Sequence, residues 1–336
     1  MSDPRPEHFL VVVADGGSTD RTCRIVDGLL NEFVRLRFIH NPNKIQASAV
    51  NLAARKYGRG FKYLLRIDAH SEYPDRFIDK LSQQLVITDA KSVVVPLETV
   101  GLTRFQKIVA IVQNSKLGTG GSAHRHKGLN RWVDHGHHAL FDLQTFCELG
   151  GYNESFPYNE DAEFDLRLIN AGHRIWLAGT VPITYYPRRD IFSLAKQYFR
   201  YGVGRASTIR LHKPNLKPRQ WAPISIAPLC ALAVAGLTIE DYVLAIPAVS
   251  WMLTCNLIGV WLSIKNRNLD VQVAGFLAMT MHLSWSLGFW KGLFALSNSN
   301  TKELPPLVFE RTSEASEPKS PHSQSQRTSQ ADPVAN

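Results

Sequence analysis

The chain has 336 residues, 44% of them hydrophobic, and a formal net charge of +9 at pH 7. This length allows one full domain plus a further region, and the positive charge predicts an anionic partner such as an acidic lipid or a phosphorylated substrate. The four cysteines lack CxxC or any other metal-binding spacing, so we predict reduced packing residues in a cytosolic setting. We predict no nucleic-acid partner, because no base-stacking module is apparent.

The first two thirds of the chain predict an α/β domain. Short apolar runs alternate with segments of helical spacing, which is the pattern of βα units around a largely parallel sheet. We predict strands and helices in the following ranges: strands over 9–15, 35–40, 62–68 and 91–96, and helices over 21–33 and 45–57. Ligands of such sheets bind at the carboxyl ends of the strands. Asp15 and Asp68 lie at such ends.

The stretch VVVADGGSTDRT (11–22) predicts a strand, a tight turn and a helix start. Gly16 and Gly17 allow the sharp turn, and the residues after them can cap the helix. Asp15 could accept a hydrogen bond from a nucleotide base or ribose. An ordinary βα turn explains the same residues equally well.

The stretch RIDAHSEYP (66–74) places a carboxylate and an imidazole two residues apart after an apolar strand. Asp68 is a natural ligand for a hard divalent cation. His70 is a softer ligand that suits Mn²⁺ better than Mg²⁺. The alternative is a capping Asp and a solvent-exposed His before Pro74.

The stretch NRWVDHGHHALF (130–141) is rich in histidine. In an extended conformation His135 and His137 share one face, while Asp134 and His138 lie on the other. A His-x-His pair can bind zinc. The histidines equally fit a sugar-binding pocket or hydrogen bonds within the core.

An acidic stretch precedes a predicted helix at 161–172. Five acidic residues lie between Glu154 and Asp165, and most can be explained by the helix dipole. Glu160 and Asp161 lie at the helix start, where a side chain can point into a cleft. One of them is therefore a candidate general base.

Residues 194–207, LAKQYFRYGVGRAS, mix aromatic and basic side chains. A basic amphipathic segment of this kind can lie on a membrane surface. Gln197 and Arg200 are three residues apart on one helix face, so both could reach a diphosphate. These two interpretations are compatible.

Three apolar runs follow Trp221, at 222–239, 242–264 and 271–290. The first two contain 18 and 23 uncharged residues, close to the roughly 20 needed to cross the hydrocarbon of a bilayer. We predict membrane spans rather than a buried helical hairpin in a soluble protein.

The basic residues predict the orientation of these spans. Four of them lie between positions 210 and 219, and Lys265 and Arg267 lie between the second and third runs. By the positive-inside rule the N-terminal domain faces the cytoplasm, and three crossings would leave the C-terminus outside. The tail is rich in Ser, Pro and Gln and is predicted to be disordered.

Taken together, the stretches DGGSTD, DAH, WVDHGHHALF, GGYNESFPYNEDAEFDLRL and QYFRY resemble a family-two inverting glycosyltransferase over about residues 9–295. The likeness is greatest to the membrane-bound glucosyltransferases of succinoglycan-type exopolysaccharide synthesis. It implies a Rossmann-like, GT-A type nucleotide-sugar transferase domain. We divide the chain accordingly: a cytoplasmic catalytic domain (1–190), a basic amphipathic interfacial segment (191–220), a membrane domain with about three helices (221–297) and a disordered tail (298–336).

The resemblance also implies roles for individual residues. Asp15 would contact the uracil nucleotide. Asp68 would bind a divalent cation, Mg²⁺ or Mn²⁺, and the donor diphosphate, with His70 in place of the second carboxylate of the usual Asp-x-Asp. Asp161 would be the base with Glu160 beside it. Gln197 and Arg200 would match Gln-x-x-Arg-Trp, with Tyr where Trp is usual.

The implied activity is transfer of a hexose, glucose in the relatives, from a UDP-sugar to a polyprenyl-diphosphate-linked oligosaccharide. The enzyme would be a multi-pass protein of the bacterial inner membrane, held there partly by anionic lipids. One departure from the family is that the strand expected ahead of DGGSTD is missing. The alternatives are a non-catalytic relative in a membrane complex and a metal-dependent hydrolase that uses His135, His137 and His138.

Overall fold

The computed structural model describes residues 8–121, 128–214, 216, 218–295 and 304–310. Its N-terminal half alternates strands and helices as predicted. These elements are β1 (Val11–Asp15), α1 (Thr22–Glu32), β2 (Leu36–His40), α2 (Gln46–Tyr57), β3 (Tyr63–Leu65), β4 (Ser71–Glu72), α3 (Phe77–Thr88), β5 (Ser92–Val95), β6 (Leu97–Thr99), α4 (Arg104–Gln113) and α5 (Lys116–Thr119).

The second half of the chain is increasingly helical. Its elements are β7 (Arg131–Val133), β8 (His137–Asp142), α6 (Leu143–Glu148), α7 (Glu160–Asn170), β9 (Ile175–Leu177), β10 (Ile183–Tyr185), α8 (Ile191–His212), α9 (Pro218–Thr238), α10 (Ile246–Lys265) and α11 (Ala274–Phe294). Two 3₁₀ turns, Tyr242–Ala245 and Leu269–Val273, precede α10 and α11.

The strands form three sheets, and their directions are more mixed than the sequence pattern predicted. β1 and β2 pair in parallel as a two-stranded sheet. The largest sheet has the order β3-β8-β5-β9-β7, in which β8 runs antiparallel to both β3 and β5. β4, β10 and β6 form the third sheet. The prediction of a largely parallel sheet missed β8, because a strand that enters between two earlier strands leaves no local pattern.

An aromatic core lies under the largest sheet. Phe141 of β8 contacts the rings of Phe146, Tyr152 and Phe164, with centroids 5.1–6.1 Å apart. These rings are almost fully buried. The core therefore ties β8 to α6, to the loop that follows it and to α7, and it fixes the start of α7 relative to the sheet.

Helix α8 packs closely on the turn that leads into α7. A Cβ atom at Gly204 would lie 2.6 Å from both the Tyr158 carbonyl oxygen and the Asn159 Cβ. Asn159, the residue before α7, has a positive φ of 69°, a left-handed conformation that asparagine tolerates better than most residues. The helix predicted to lie at the membrane thus touches the candidate base segment directly.

Two helices in the described part of the chain are long and apolar enough to cross a membrane, Gln220–Thr238 and Tyr242–Lys265. The third apolar run forms α11, which does not reach the same criterion. Within the predicted tail, residues 304–310 have no regular secondary structure and lie against the catalytic domain. The other tail residues, 298–303 and 311–336, lie outside the described part.

Candidate active site

A buried arginine joins two of the predicted site segments. Arg66 follows β3 directly, and its guanidinium donates to Glu160 Oε1 at 2.9 Å and to Asp68 Oδ1 at 3.2 Å. Its side chain is 11% exposed. Burial opposes its charge, but Tyr152, Asp68 and Glu160 hold the pKa of Arg66 above its ordinary value. The carboxyl end of β3 and the start of α7 therefore meet around one buried cation.

The predicted metal-binding pair lies on the short turn between β3 and β4. Asp68 Oδ1 also accepts from Gln46 Nε2 at 2.6 Å, and the Asp68 backbone N–H donates to the Tyr73 hydroxyl at 2.7 Å. His70 is exposed, with its ring 5.7 Å from that of Tyr185 in an edge contact. One carboxylate and one imidazole on an accessible turn suit Mn²⁺ or Mg²⁺, because substrate phosphates and water complete the coordination of such ions.

Glu160 is the first residue of α7 and is only 6% exposed. Burial, together with the charge of Asp161, raises the pKa of Glu160 to about 7, although the ion pair with Arg66 opposes the shift. Glu160 can therefore gain or lose a proton near neutral pH, which changes the charge of the candidate site by one unit.

Asp161 is bound to a histidine of the predicted cluster. His137 Nδ1 lies 2.6 Å from Asp161 Oδ2, and the Ala162 backbone N–H donates to Asp161 Oδ1 at 2.8 Å. Burial alone would raise the pKa of Asp161, but the charge and hydrogen bond of His137 hold it below its usual value. The carboxylate thus stays ionised, and the Asp161–His137 pair shares any proton that enters it.

His135 forms a second, deeper pair on the same face. Its Nδ1 lies 2.7 Å from Asp165 Oδ2, which also accepts from the Gly136 backbone N–H at 3.1 Å. Burial opposes the charged ring, yet Asp165 raises the pKa of His135. The sequence did not single out Asp165, although it lies one helical turn after Asp161, on the same face of α7.

Among the described residues, His135, His137 and Asp161 also have the spacing of a metal site. One ligand atom from each lies within 4.8 Å of the others. The predicted third histidine of this cluster, His138, lies in β8, but its side chain is outside the described part of the chain. Two histidines and one carboxylate match the chemistry of zinc ligands, so this cluster keeps the hydrolase alternative open.

Asp15 lies at the end of β1, as predicted, and is buried. Its carboxylate accepts from the backbone N–H groups of Gly17 and Ser18, at 2.9 and 3.0 Å, and from the Ser18 hydroxyl. These hydrogen bonds from Ser18 lower the pKa of Asp15. Asp15 therefore shapes its own turn, and its contact with a nucleotide stays a prediction.

The structure places Gln197 and Arg200 in different environments. Gln197 is buried, and its Nε2 donates to the hydroxyls of Tyr185 and Tyr201, both at 2.8 Å. Both hydrogen bonds from the Gln197 side-chain amide go to these tyrosines. Its contact with a diphosphate stays a prediction. Arg200 lies over the ring of Tyr158 at 5.0 Å, beside the loop that leads into α7.

Some acidic residues of this region are structural. Glu163 is fully buried and accepts from Arg167 and His212, each at 2.8 Å. Glu154 accepts from Asn51 Nδ2 at 3.0 Å. Side-chain partners hold these two carboxylates. The helix-dipole explanation applies to the three acidic residues in the first turn of α7, Glu160, Asp161 and Glu163.

The sequence is similar to known proteins over most of its length. A family model described as Glycosyl transferase family 2 matches residues 5–147. The succinoglycan biosynthesis protein ExoA of Rhizobium meliloti (strain 1021) is 45% identical over 288 residues, which are 86% of this chain and 87% of that protein.

One further protein is similar in sequence and one solved structure is similar in fold, both at lower identity. A Methanococcus voltae protein named dolichyl N-acetyl-alpha-D-glucosaminyl phosphate 3-beta-D-2,3-diacetamido-2,3-dideoxy-beta-D-glucuronosyltransferase is 23% identical, over 85% of this chain and 88% of its own length. The crystal structure of GalNAc-T7 with UDP, GalNAc and Mn²⁺ superimposes with a TM-score of 0.44 at 12% identity, covering 63% of this chain and 47% of that one.

The shifted pKa of Glu160 predicts a pH-dependent stability. A carboxyl group whose pKa is raised to about 7 on folding stabilises the folded state at low pH, and this contribution is lost as the pH rises through 7. Between pH 5 and pH 8 the parent chain should lose about 1–3 kcal/mol of unfolding free energy that Glu160→Gln does not lose. Unfolding curves in detergent at both pH values measure this difference.

The matched control is Asp75→Asn, at an exposed position, which should keep the parental pH dependence. Equal pH dependence in Glu160→Gln and in the parent chain would show that Glu160 keeps an ordinary pKa.

Proposed function

The chain belongs to glycosyl transferase family 2, and we propose that it transfers a hexose from a UDP-sugar to a lipid-linked oligosaccharide during exopolysaccharide synthesis. Glucose is the proposed sugar. The 45% identity to a succinoglycan biosynthesis protein over most of both chains supports the polysaccharide context. The name of the archaeal relative, which specifies a sugar on dolichyl phosphate, supports a lipid-linked acceptor.

The observation that carries this proposal is the meeting of Asp68 and the start of α7 at the buried Arg66 guanidinium. A transferase of this type needs a site for the departing diphosphate and a base on the other side of the reacting carbon. Asp68 with His70 would serve the first need, and Asp161 with His137 the second. Arg66 holds the two sites at a fixed separation.

We propose that Asp68 and His70 hold a divalent cation, Mg²⁺ or Mn²⁺. Such an ion, when bound, neutralises charge on a departing diphosphate. Arg200 would add a positive contact on the leaving-group side, and a guanidinium can bind two phosphate oxygens at once. Asp15 would accept a hydrogen bond from the uracil nucleotide. Gln197 would orient Tyr201 and Tyr185, and the Tyr185 ring lies beside His70.

The proposed reaction is a single in-line displacement. An acceptor hydroxyl oxygen forms a bond to the anomeric carbon as the bond from that carbon to the diphosphate oxygen breaks. The hydroxyl proton moves to Asp161 Oδ2 and is shared with His137, and UDP leaves with the bonding electrons. Attack from the opposite face inverts the anomeric carbon, so a β-linked product is expected from an α-linked donor.

The proposed location is the bacterial inner membrane, with the catalytic domain in the cytoplasm. A lipid-linked acceptor lies at the membrane surface, and α8 connects that surface to the cleft through Gly204. Basic residues between 188 and 219 would attract anionic lipids, at about 1 kcal/mol each when close to the surface.

Replacing the proposed base tests the chemical step. Asp161→Asn keeps the size of the side chain but removes its charge, so turnover should fall by at least about 10²-fold. Affinity for the UDP-sugar should stay near the parental value, because the base contacts the acceptor. Radiolabelled sugar transfer and equilibrium donor binding measure the two quantities.

Asp27→Asn, at an exposed position of α1, is the matched control and should keep parental turnover. Transfer by Asp161→Asn at the parental rate would show that another group is the base.

Replacing the proposed cation ligand tests the donor site. Asp68→Asn should weaken UDP binding in the presence of Mn²⁺ by about tenfold or more, because it removes one anionic ligand. Without Mn²⁺ the variant and the parent chain should bind UDP equally weakly. Calorimetric titration of the full-length protein with UDP, with and without Mn²⁺, measures both affinities.

Asp75→Asn is again the control, since it lies nearby on the surface. Unchanged affinity of Asp68→Asn in Mn²⁺ would exclude this role. Zinc that stays bound through purification and is lost in His137→Gln would instead favour the hydrolase alternative.

A further inference from the structure

Helices α9 and α10 present long apolar surfaces that little of the described protein covers. Exposed side chains include Val234 and Leu237 on α9 and Leu253 and Leu257 on α10, each more than half exposed. Each helix is long and apolar enough to cross a membrane. A tight turn joins them, in which the Asp241 backbone N–H donates to the Gly236 carbonyl at 2.9 Å. Lipid hydrocarbon is the partner that fits this surface.

The far end of α10 returns to the catalytic domain. Arg104, the first residue of α4, forms a two-pronged ion pair with Asp270 in the 3₁₀ turn after α10, and one of its contacts measures 2.6 Å. Val271 in the same turn is fully buried, in one cluster with Ile108 and Val109 of α4. The chain thus leaves the domain after α8, and the turn after α10 returns to it by packing against α4.

Helix α11 packs along α8, and its first half also contacts α4 of the catalytic domain. Leu277 and Met281 share the buried cluster of α4. Farther along, a Cβ atom at Gly288 would lie 2.0 Å from the Phe199 carbonyl oxygen of α8, so the two backbones are in direct contact. At the end of the helix, Arg210 donates to the Gly292 carbonyl at 3.1 Å. A helix fastened in this way to α8 and α4 is not a separate crossing.

Residues 304–310 form a segment that docks on the cluster of buried residues around the aromatic core. The Leu307 backbone N–H donates to the Cys147 carbonyl at 2.8 Å, and that of Glu310 donates to the Arg55 carbonyl at 2.9 Å. Leu307 and Phe309 pack against the core. A Cβ atom at Gly150 would lie 2.7 Å from the Pro305 carbonyl oxygen, so the backbone of the segment passes close to a position that has no side chain.

We infer that the part of the chain that the structure describes crosses the bilayer twice, through α9 and α10, and that residues 304–310 are a strap that stays on the side of the catalytic domain. Helices α9 and α10 form a hairpin, and the segments before and after it contact the same domain. The number of crossings between these segments is therefore even. This proposal differs from the three crossings expected from the sequence, which would put the segment after α11 on the opposite side. The crossings depend on the membrane location proposed above, whereas the docking of the strap does not.

Cysteine labelling tests the two crossings. Single cysteines are added at three exposed positions, Glu32→Cys on the domain, Tyr242→Cys at the hairpin turn and Val308→Cys in the strap. A membrane-impermeant thiol reagent is applied to inside-out and right-side-out vesicles, and labelling is compared with that of the parent chain. Tyr242→Cys should be labelled from one face, and the other two cysteines from the opposite face.

Labelling of Val308→Cys from the face of Tyr242→Cys would overturn the strap's placement. Labelling of Tyr242→Cys from the face of Glu32→Cys would overturn the crossings. Recovery of the chain as a soluble oligomer would also overturn the crossings, and with them the proposed location, because the hairpin would then be covered by a second copy.

Reactivity of Cys147 tests the strap without reference to a membrane. Cys147 is buried beside Leu307 and Phe309. In the double variant Leu307→Ser, Phe309→Ser, a permeant thiol reagent should modify Cys147 at least about tenfold faster, because loss of two apolar contacts favours opening of the groove. Val308→Ser is the control and should react at the parental rate. Equal rates in all three chains would show that the strap does not dock there.

Discussion

The candidate site depends on one buried guanidinium placed between carboxylates. Arg66 bonds to both Asp68 and Glu160, and Asp161 lies next to Glu160. Carboxylates brought this close repel one another, and burial makes each charge more costly. A single positive charge in their midst offsets part of both effects, since the pKa of Glu160 is still raised to about 7, and the planar guanidinium fixes the direction of each contact. The turn after β3 and the start of α7 are held in one arrangement because both contact Arg66.

The surrounding fold transmits this arrangement to the region proposed to meet the membrane. The aromatic core sets the position of α7 relative to β8, and α8 contacts the start of α7 through the small residue Gly204. Helix α11 in turn lies along α8. The candidate base and helices α9 and α10 are therefore connected through the packed helices α8 and α11, which suits an acceptor presented at a fixed distance from a lipid surface.

The sequence predicted the local features of this protein well. Strand ends at Asp15 and near Asp68, and the start of α7 at Glu160, follow from apolar periodicity and turn residues. It could not predict which segments meet. Arg66 and Glu160 are 94 residues apart, and no local pattern links them. The available signal was an arginine between Leu65 and Ile67 at the end of an apolar run, which would need an acidic partner if buried. The insertion of β8 between β3 and β5 and the docking of Leu307 were missed for the same reason.

The most direct test is a double-mutant cycle for Arg66 and Glu160, measured as unfolding free energies of the full chain in detergent. Arg66→Met should destabilise strongly, by about 3–5 kcal/mol, because it leaves carboxylates buried without their cation. The same substitution in the Glu160→Gln background should cost less, with a coupling energy of about 1–3 kcal/mol. Strictly additive effects would contradict the account, because Arg66 would then not be what holds the two halves of the cleft together.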